Sequence, residues 1–363
     1  MSLSCGIVGL PNVGKTTIFN ALTAAQAERT AYASGSTEPN VSMISIPDPN
    51  LDRLAIHIET KKVIPATVQV VDIAGLQQGA SQGEGMGNRF LAHIREADAL
   101  LHVVQCFENP AVARESAVDA ASDLGELEVE LTLADLDTVT RAIERVSKKA
   151  RTGDKDSIEE KELFERVKEM LEAGNQPRTG DWSEREIELL RPLCLMTMKP
   201  VLYVANVGDG DLSAEGKDAR AVAAHAEKMG SGWIALCGDL ECDLRQMEGE
   251  DRDAFMAEYG VEELALDRLI RAAFGLLGLQ TFYTAGEKEI RAWTIRAGDT
   301  APVAAGKIHT DFLKGFIRAE VFTVGQLEEH GSESAIRSAG LLRTEGKDYV
   351  MQDEDVCHFL VGK

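Results

Sequence analysis

At 363 residues, with 44% hydrophobic and 27% charged side chains, the chain is long enough for two or three domains that each bury a core, and its composition excludes disordered and fibrous classes. A formal net charge of −22 argues against sequence-independent binding of duplex nucleic acid by the whole surface, because phosphates are repelled at long range; local basic patches stay compatible with it. Six scattered cysteines (Cys5, Cys106, Cys194, Cys237, Cys242, Cys357) form no Cys-x-x-Cys pair and have no His at zinc-ligand spacing, so they read as reduced core residues.

The N-terminus carries neither the basic flank nor the long apolar core of a signal peptide, and no run of 18 apolar residues is present for a membrane span; a cytoplasmic location without membrane contact is expected. The first apolar run, Cys5 to Gly9, leads into Gly9-Leu10-Pro11-Asn12-Val13-Gly14-Lys15-Thr16 and a helix start at Thr17-Ile18-Phe19-Asn20-Ala21-Leu22. A G-x-x-x-x-G-K-[ST] match between strand and helix is the phosphate-binding loop of a nucleoside triphosphatase. Gly9 and Gly14 let the backbone turn so that successive N–H groups, those of Asn12, Val13 and Gly14 among them, converge on phosphates at a helix N-terminus. Lys15 then bridges the β- and γ-phosphates, Thr16 gives a hydroxyl to Mg²⁺, and Thr17 reaches the α-phosphate. The turn-rich stretch Ser34 to Asn40 stands where a switch loop belongs, and its Thr37 is either a second Mg²⁺ hydroxyl or a turn threonine.

A second run, Thr67 to Val71, ends in Asp72-Ile73-Ala74-Gly75-Leu76. A carboxylate at a strand terminus before a Gly-containing turn faces the metal, so Asp72 is the expected Walker B residue, and Gly75 leaves its N–H open to the γ-phosphate. Gly79 to Asn88, with four glycines, suits a loop ordered by that phosphate. Further runs at Ala99 to Val104, Val201 to Ala205 and Trp233 to Cys237 complete a set that reads as strands buried on both faces of a doubly wound α/β sheet. Within it, Leu127, Leu131, Leu136, Val139, Ile143 and Val146, then Leu163, Val167, Met170 and Leu171, repeat at helical spacing on either side of a break at Lys149 to Ser157. An inserted antiparallel helical hairpin and an ordinary pair of surface helices both satisfy that pattern. Glu262 to Leu277 reads as a helix. Beyond it the chain holds 10 Lys/Arg against 13 Asp/Glu and short β-type runs at Thr294, Ile295, Val321, Phe322, Tyr349 and Val350, the marks of a separate α+β module. The expected division is 1–122 with 199–277, 123–198, and 278–361.

With the phosphate loop, Asp72-Ile73-Ala74-Gly75-Leu76, Gly79-Ala80-Ser81-Gln82-Gly83-Glu84-Gly85 and Asn206-Val207-Gly208-Asp209 in order, the chain resembles the YchF subfamily of Obg-like P-loop NTPases. Cys106-Phe107-Glu108-Asn109, Arg291 to Ile295 and Ala305 to Phe312 also look like that family's. The resemblance implies a Ras-like G domain, a helical hairpin insertion and a C-terminal TGS domain of β-grasp fold. It also implies ATP over GTP. GTPases usually carry Asn-Lys-x-Asp after this strand; here Val207 replaces the lysine and offers only a short apolar contact to the base, while Asp209 keeps an acceptor for guanine and leaves GTP binding open. Asn206, Val207 and Asp209 are thus the expected base-side residues.

Leu76 stands in place of the glutamine that orients the attacking water in Ras-like proteins, and Arg114 where the family is thought to place a histidine. The catalytic residue is therefore left unassigned; His93 and His102 are candidates by spacing alone and read more readily as structural. Lys307, His309, Lys314 and Arg318, and Lys148, Lys149, Arg151 and Lys155 near the helical break, form either RNA-contacting faces, as the resemblance implies, or solvated ones. The expected function is slow Mg²⁺-dependent NTP hydrolysis, coupled, as the resemblance implies, to association with the ribosome, chiefly the large subunit, in translation or stress. The alternatives are a nucleotide-gated binding module in which hydrolysis is incidental, and a small-molecule kinase.

Overall fold

The computed structural model describes residues 3–29, 41–73, 86–108, 117–247 and 249–362. In chain order the first elements are β1 (Ser4–Val8), α1 (Lys15–Arg29), β2 (Val41–Ser45), α2 (Pro49–His57), β3 (Val63–Ile64), β4 (Thr67–Asp72), α3 (Met86–Glu96) and β5 (Ala99–Cys106). Then come α4 (Ala120–Ala150), α5 (Lys155–Glu172), α6 (Glu184–Leu190), β6 (Val201–Val207), α7 (Lys217–Lys228), β7 (Gly232–Leu236), α8 (Gly238–Gln246), α9 (Gly249–Glu258) and α10 (Ala265–Leu276). The last stretch comprises β8 (Leu279–Thr284), β9 (Ile290–Arg296), α11 (Ala301–Ile308), α12 (Thr310–Gly315), β10 (Phe316–Thr323), α13 (Val324–His330), α14 (Glu333–Ser338), β11 (Arg343–Glu345) and β12 (Asp355–Val361).

All five apolar runs form strands. They join one sheet of order β2-β4-β1-β5-β6-β7, and β4, β1, β5, β6 and β7 run parallel. Every residue of β1 and β6 is buried, which is why these strands read as unbroken apolar runs rather than as alternating ones. From the central β1 the chain passes first to β2 and then β4 on one side, and afterwards to β5 on the other. The strand order reverses between β1 and β5, and the C-terminal ends of strands at such a switch point are the usual place for a ligand in a sheet of this kind.

The helical segment starts at Ala120, capped by the Asp119 carboxylate accepting from Ser122 N. It breaks at residues 151–154, where Gly153 takes φ +83° and Asp154 caps α5. Residues at similar distances from that turn meet: Val139 and Ala142 share a core with Leu163, Phe164, Val167 and Leu171, so α5 doubles back along α4. Near its start α4 buries Ala120, Leu124 and Leu127 and also packs against β5 and α7.

The molecule divides into two compact units, residues 1–42 with 69–269, and residues 43–68 with 270–363. That departs from the three-part division expected from sequence in three respects, the smallest being that residues 270–277 fall with the second unit. Because α4 packs on β5 and α7 as well as on α5, 123–198 does not separate. Residues 43–68 leave the first unit because β3 pairs in parallel with β9 (Val63 opposite Ile290) and α2 packs on α13 and β9.

Arg53 of α2 fixes this return with a two-pronged ion pair to Glu328, at 2.7 and 2.6 Å, and Tyr283 donates to the α2-capping Asp48 at 2.8 Å. The second sheet has the order β11-β10-β12-β8-β9-β3, with Phe282, Ile295, Ala305, Phe316 and Val321 in its core. Thr294, Ile295, Val321 and Phe322 lie in its strands, but Val350 makes only an isolated bridge to Thr300 and Tyr349 is in no strand. Tyr349 instead packs on the core and donates its hydroxyl to Asp355 at 2.8 Å.

Candidate nucleotide site

Beyond β1 the backbone turns through Gly9 (φ +153°), Asn12 (φ +64°) and Gly14 (φ +95°) before α1 begins at Lys15. Both glycines are required by contact as well as by conformation. A Cβ at Gly9 would overlap the Val103 carbonyl of β5, and one at Gly14 the Asn206 amide of β6. The loop therefore lies directly on two neighbouring strands, and the first amides of α1, which have no intrahelical acceptor, open onto it as an anion site.

Lys15 is 6% exposed and donates from Nζ to the Leu10 carbonyl at 2.6 Å. Burial pulls its ammonium down to about 8, against the opposing pull of Asp72; a desolvated cation of this kind is suited to a polyanion that replaces its lost hydration. Thr16 Oγ1 donates to Asp72 Oδ2 at 3.0 Å. The other carboxylate oxygen, Asp72 Oδ1, is buried with no hydrogen-bond partner among the described residues. Hydroxyl and carboxylate thus stand together as hard oxygen donors at the phosphate end.

Asn206 is 4% exposed. Its Nδ2 donates to the Val13 carbonyl at 2.9 Å, and its Oδ1 accepts from Gly238 N at 3.0 Å. It lines the cleft, yet both ends of its amide are committed to protein, so it braces the phosphate loop against the start of α8. Replacing Asn206 with Ala leaves a buried carbonyl and a buried N–H unpaired, which costs about 1–3 kcal/mol for each group left unsatisfied. We expect a lower melting temperature together with weaker nucleotide binding in that variant, read by thermal denaturation with and without Mg-nucleotide.

A cleft of about 710 Å³ runs from Gly14, Lys15, Thr16 and Thr17 past Asn206, Val207, Gly208 and Asp209. Asn12 also lines it, whereas the Val13 side chain is buried, beside Gly9, and leaves only its backbone for a ligand. Val207 is 2% exposed and Asp209 is exposed. The cleft wall also includes Phe107 and Glu108 after β5, Cys237 to Leu240 at the β7–α8 junction, Asp243, Phe255 and Tyr259. Apart from Phe107 and Glu108, quoted above only for family likeness, these had no sequence signal except that Cys237 and Gly238 follow the end of a parallel strand.

Thr37, Gly75, Leu76 and Arg114 lie outside the described residues. His93 is exposed on α3, and neither it nor His102 lines the cleft. His102 is buried in β5 against Tyr203, ring centroids 5.5 Å apart, and burial drives its imidazole down to about 3, so it is a neutral core residue. Lys148, Lys149, Arg151 and Lys155 are all exposed about the α4–α5 turn, as are Lys307, His309, Lys314 and Arg318 along α11, α12 and β10.

A family model described as 50S ribosome-binding GTPase matches residues 4–149. A second model, for the C-terminal part of YchF GTPases and described as a protein of unknown function, matches residues 279–362. The chain is similar to the Ribosome-binding ATPase YchF of Shigella flexneri, 47% identical over 363 residues and covering 99% of each protein. It is also similar to the Obg-like ATPase 1 of Pongo abelii, 39% identical over 365 residues, with 99% of this chain and 92% of that protein covered. Among solved structures, that of the Schizosaccharomyces pombe YchF GTPase superposes with a TM-score of 0.90 at 35% identity, over 99% of this chain and 98% of the other.

Proposed function

The chain belongs to the YchF family of Obg-like P-loop NTPases, and we propose that it is a cytoplasmic Mg²⁺-dependent ATPase that also accepts GTP and couples slow hydrolysis to association with the large ribosomal subunit. The observation that carries the reading is the joint placement of Lys15, Thr16 and Asp72 at the mouth of a glycine-turned loop. In this reading Lys15 binds the β- and γ-phosphates, the α1 amides receive the remaining phosphate oxygens, and Thr17 serves the α-phosphate. Thr16 and Asp72, joined by Thr37, hold Mg²⁺, and Gly75 offers its N–H to the γ-phosphate. Among the described residues no group of three or more His, Cys, Asp or Glu converges on a metal, so a cation at Thr16 and Asp72 would take further ligands from phosphate and water, as Mg²⁺ does. When bound, it neutralises charge on the phosphates.

Base preference follows from Val207. Its buried side chain cannot lay a cationic stem along guanine, which weakens guanine preference, while the Asp209 carboxylate on the same cleft keeps an acceptor for the guanine edge; ATP over GTP is what the family likeness adds. Val207→Lys is expected to move the preference toward GTP. Competition binding of Mg-ATP and Mg-GTP to both proteins measures it, and unchanged relative affinities would sink the assignment.

Association with the ribosome rests on the names of the relatives and of the matching family model. The second sheet and its helices are read as a TGS domain and the α4–α5 pair as the family's hairpin, each presenting a basic face for RNA. Among the described residues no helix is long and apolar enough to cross a membrane. Co-sedimentation with large subunits in the nucleotide-free, ADP and non-hydrolysable ATP states tests the coupling. Equal affinity in all three removes it; dependence on nucleotide with no effect of hydrolysis moves the reading to a nucleotide-gated binding module.

A further inference from the structure

Strand order lays the cleft out in sequence. The phosphate loop leaves β1, Phe107 and Glu108 follow β5, Asn206 to Asp209 close β6, and Gly238 follows β7. Phosphates held at β1 therefore place the nucleoside toward β6 and β7, and the chain that continues from β7 forms the far wall.

That continuation is α8, α9 and α10. Helices α8 and α10 are locked to one another: Glu241 accepts from Ala265 N at 2.8 Å and Leu266 N at 3.3 Å, and Arg245 pairs with Asp267. Between them α9 has no buried residue. A helix with nothing in the core is an odd carrier for aromatic side chains. Yet Phe255 of α9 and Tyr259, the residue after the helix, whose N–H donates to the Phe255 carbonyl at 3.2 Å, stack with centroids 4.6 Å apart and planes at 23°, and both line the cleft. Tyr259 remains 41% exposed. The same cleft is lined by the apolar Leu240 and by Asp239 and Asp243 of α8, so an aromatic surface and hydrogen-bond acceptors share the wall built by the chain after β7, where the base is expected.

We propose that Phe255 and Tyr259 are base-stacking residues of this nucleotide cleft, with α9 serving as the wall against which the base of a purine nucleoside triphosphate is held. The proposal rests on the nucleotide reading above and adds to it a second determinant of substrate choice. Stacking uses the π-face that all bases share, so adenine and guanine benefit alike, and the larger purine surface gains more than a pyrimidine. Selection between adenine and guanine stays with Val207 and Asp209; selection of purine over pyrimidine belongs to α9.

The test is equilibrium binding of Mg-ATP, Mg-GTP, Mg-CTP and Mg-tripolyphosphate to the full chain and to Phe255→Ala, Phe255→Leu, Tyr259→Ala and Tyr259→Phe. Loss of a stacking partner weakens base binding about fivefold to a hundredfold. Phe255→Ala should lose affinity for ATP and GTP in that range, with CTP affected less and tripolyphosphate unchanged; Tyr259→Ala should follow, and Tyr259→Phe should match the parent. Phe255→Leu keeps the apolar bulk and removes the ring, so it reports on stacking even where the alanine variant folds poorly. Equal loss of ATP and tripolyphosphate would make the pair a mere support for α9 and overturn the proposal, as would unchanged ATP binding in both Phe255 variants. A parent protein that binds neither ATP nor tripolyphosphate overturns the nucleotide reading and the stack with it.

Discussion

Lys15→Met is expected to abolish useful Mg-ATP binding and, in the same protein, to raise the stability of the nucleotide-free state. Truncating one partner of a buried charge pair costs about 2–5 kcal/mol, which is a loss of about thirtyfold to several thousandfold in affinity, and here the partner is a polyanion. The opposite effect on the free protein follows from burial. Lys15 is held with its pKa pulled down to about 8, from a reference of 10.5, so the charged form is disfavoured by folding. Below about pH 8 both folded and unfolded chains carry the proton and the penalty is present in full. Between about 8 and 10.5 the unfolded chain binds more protons, so stability rises with pH and the penalty fades. Methionine keeps most of the stem without the charge and gives up the bond to the Leu10 carbonyl and the weaker attraction to Asp72. The variant should therefore melt above the parent at pH 7, by an amount that shrinks as pH approaches 10. Nucleotide-free melts at pH 7, 8 and 10 beside a titration with Mg-ATP measure both halves; a variant that binds as the parent does would remove Lys15 from the phosphate site.

The phosphate half of the site was legible because its residues are contiguous and their spacing is itself the mechanism. Gly9, Gly14 and Lys15 stand close in the chain and close in space. On the base side, Val207 and Asp209 were legible from the pattern that closes β6, whereas Phe255 and Tyr259, at and just beyond the end of α9, line the same cleft and carry no motif. Asn206 shows a different limit: the sequence places it at the cleft but cannot say that its amide faces Val13 and Gly238.

In the fold, strands buried on both faces declared themselves. By contrast β2, only partly buried at Val41, Ser42 and Met43, and the two-residue β3 did not. The return of residues 43–68 to the second unit depends on Val63 meeting Ile290, a pairing so distant in sequence that no local pattern encodes it.

Asp72→Asn should separate metal dependence from nucleotide binding. The carboxylate takes one hydrogen bond from Thr16 and keeps Oδ1 buried with no partner among the described residues. A carboxylate with one oxygen buried and given no hydrogen bond is costly; Lys15 offsets part of its charge, a divalent cation balances more of it, and an asparagine has no charge to be balanced. The amide can still accept from Thr16, so the loop should keep its shape. Two opposed changes are then expected. In EDTA, ATP should bind as well as to the parent or better, because a negative charge near the phosphates has gone. On adding Mg²⁺, the parent should gain affinity strongly and the variant weakly, with hydrolysis falling about a hundredfold or more, as for loss of a main electrostatic contact to the reacting phosphate. Titrating ATP at fixed Mg²⁺ concentrations from zero upward reads the first effect without reference to turnover. Identical Mg²⁺ dependence in the two proteins would take Asp72 out of the metal site, whereas weaker binding in EDTA as well as in Mg²⁺ would mean that the loop itself had been disturbed.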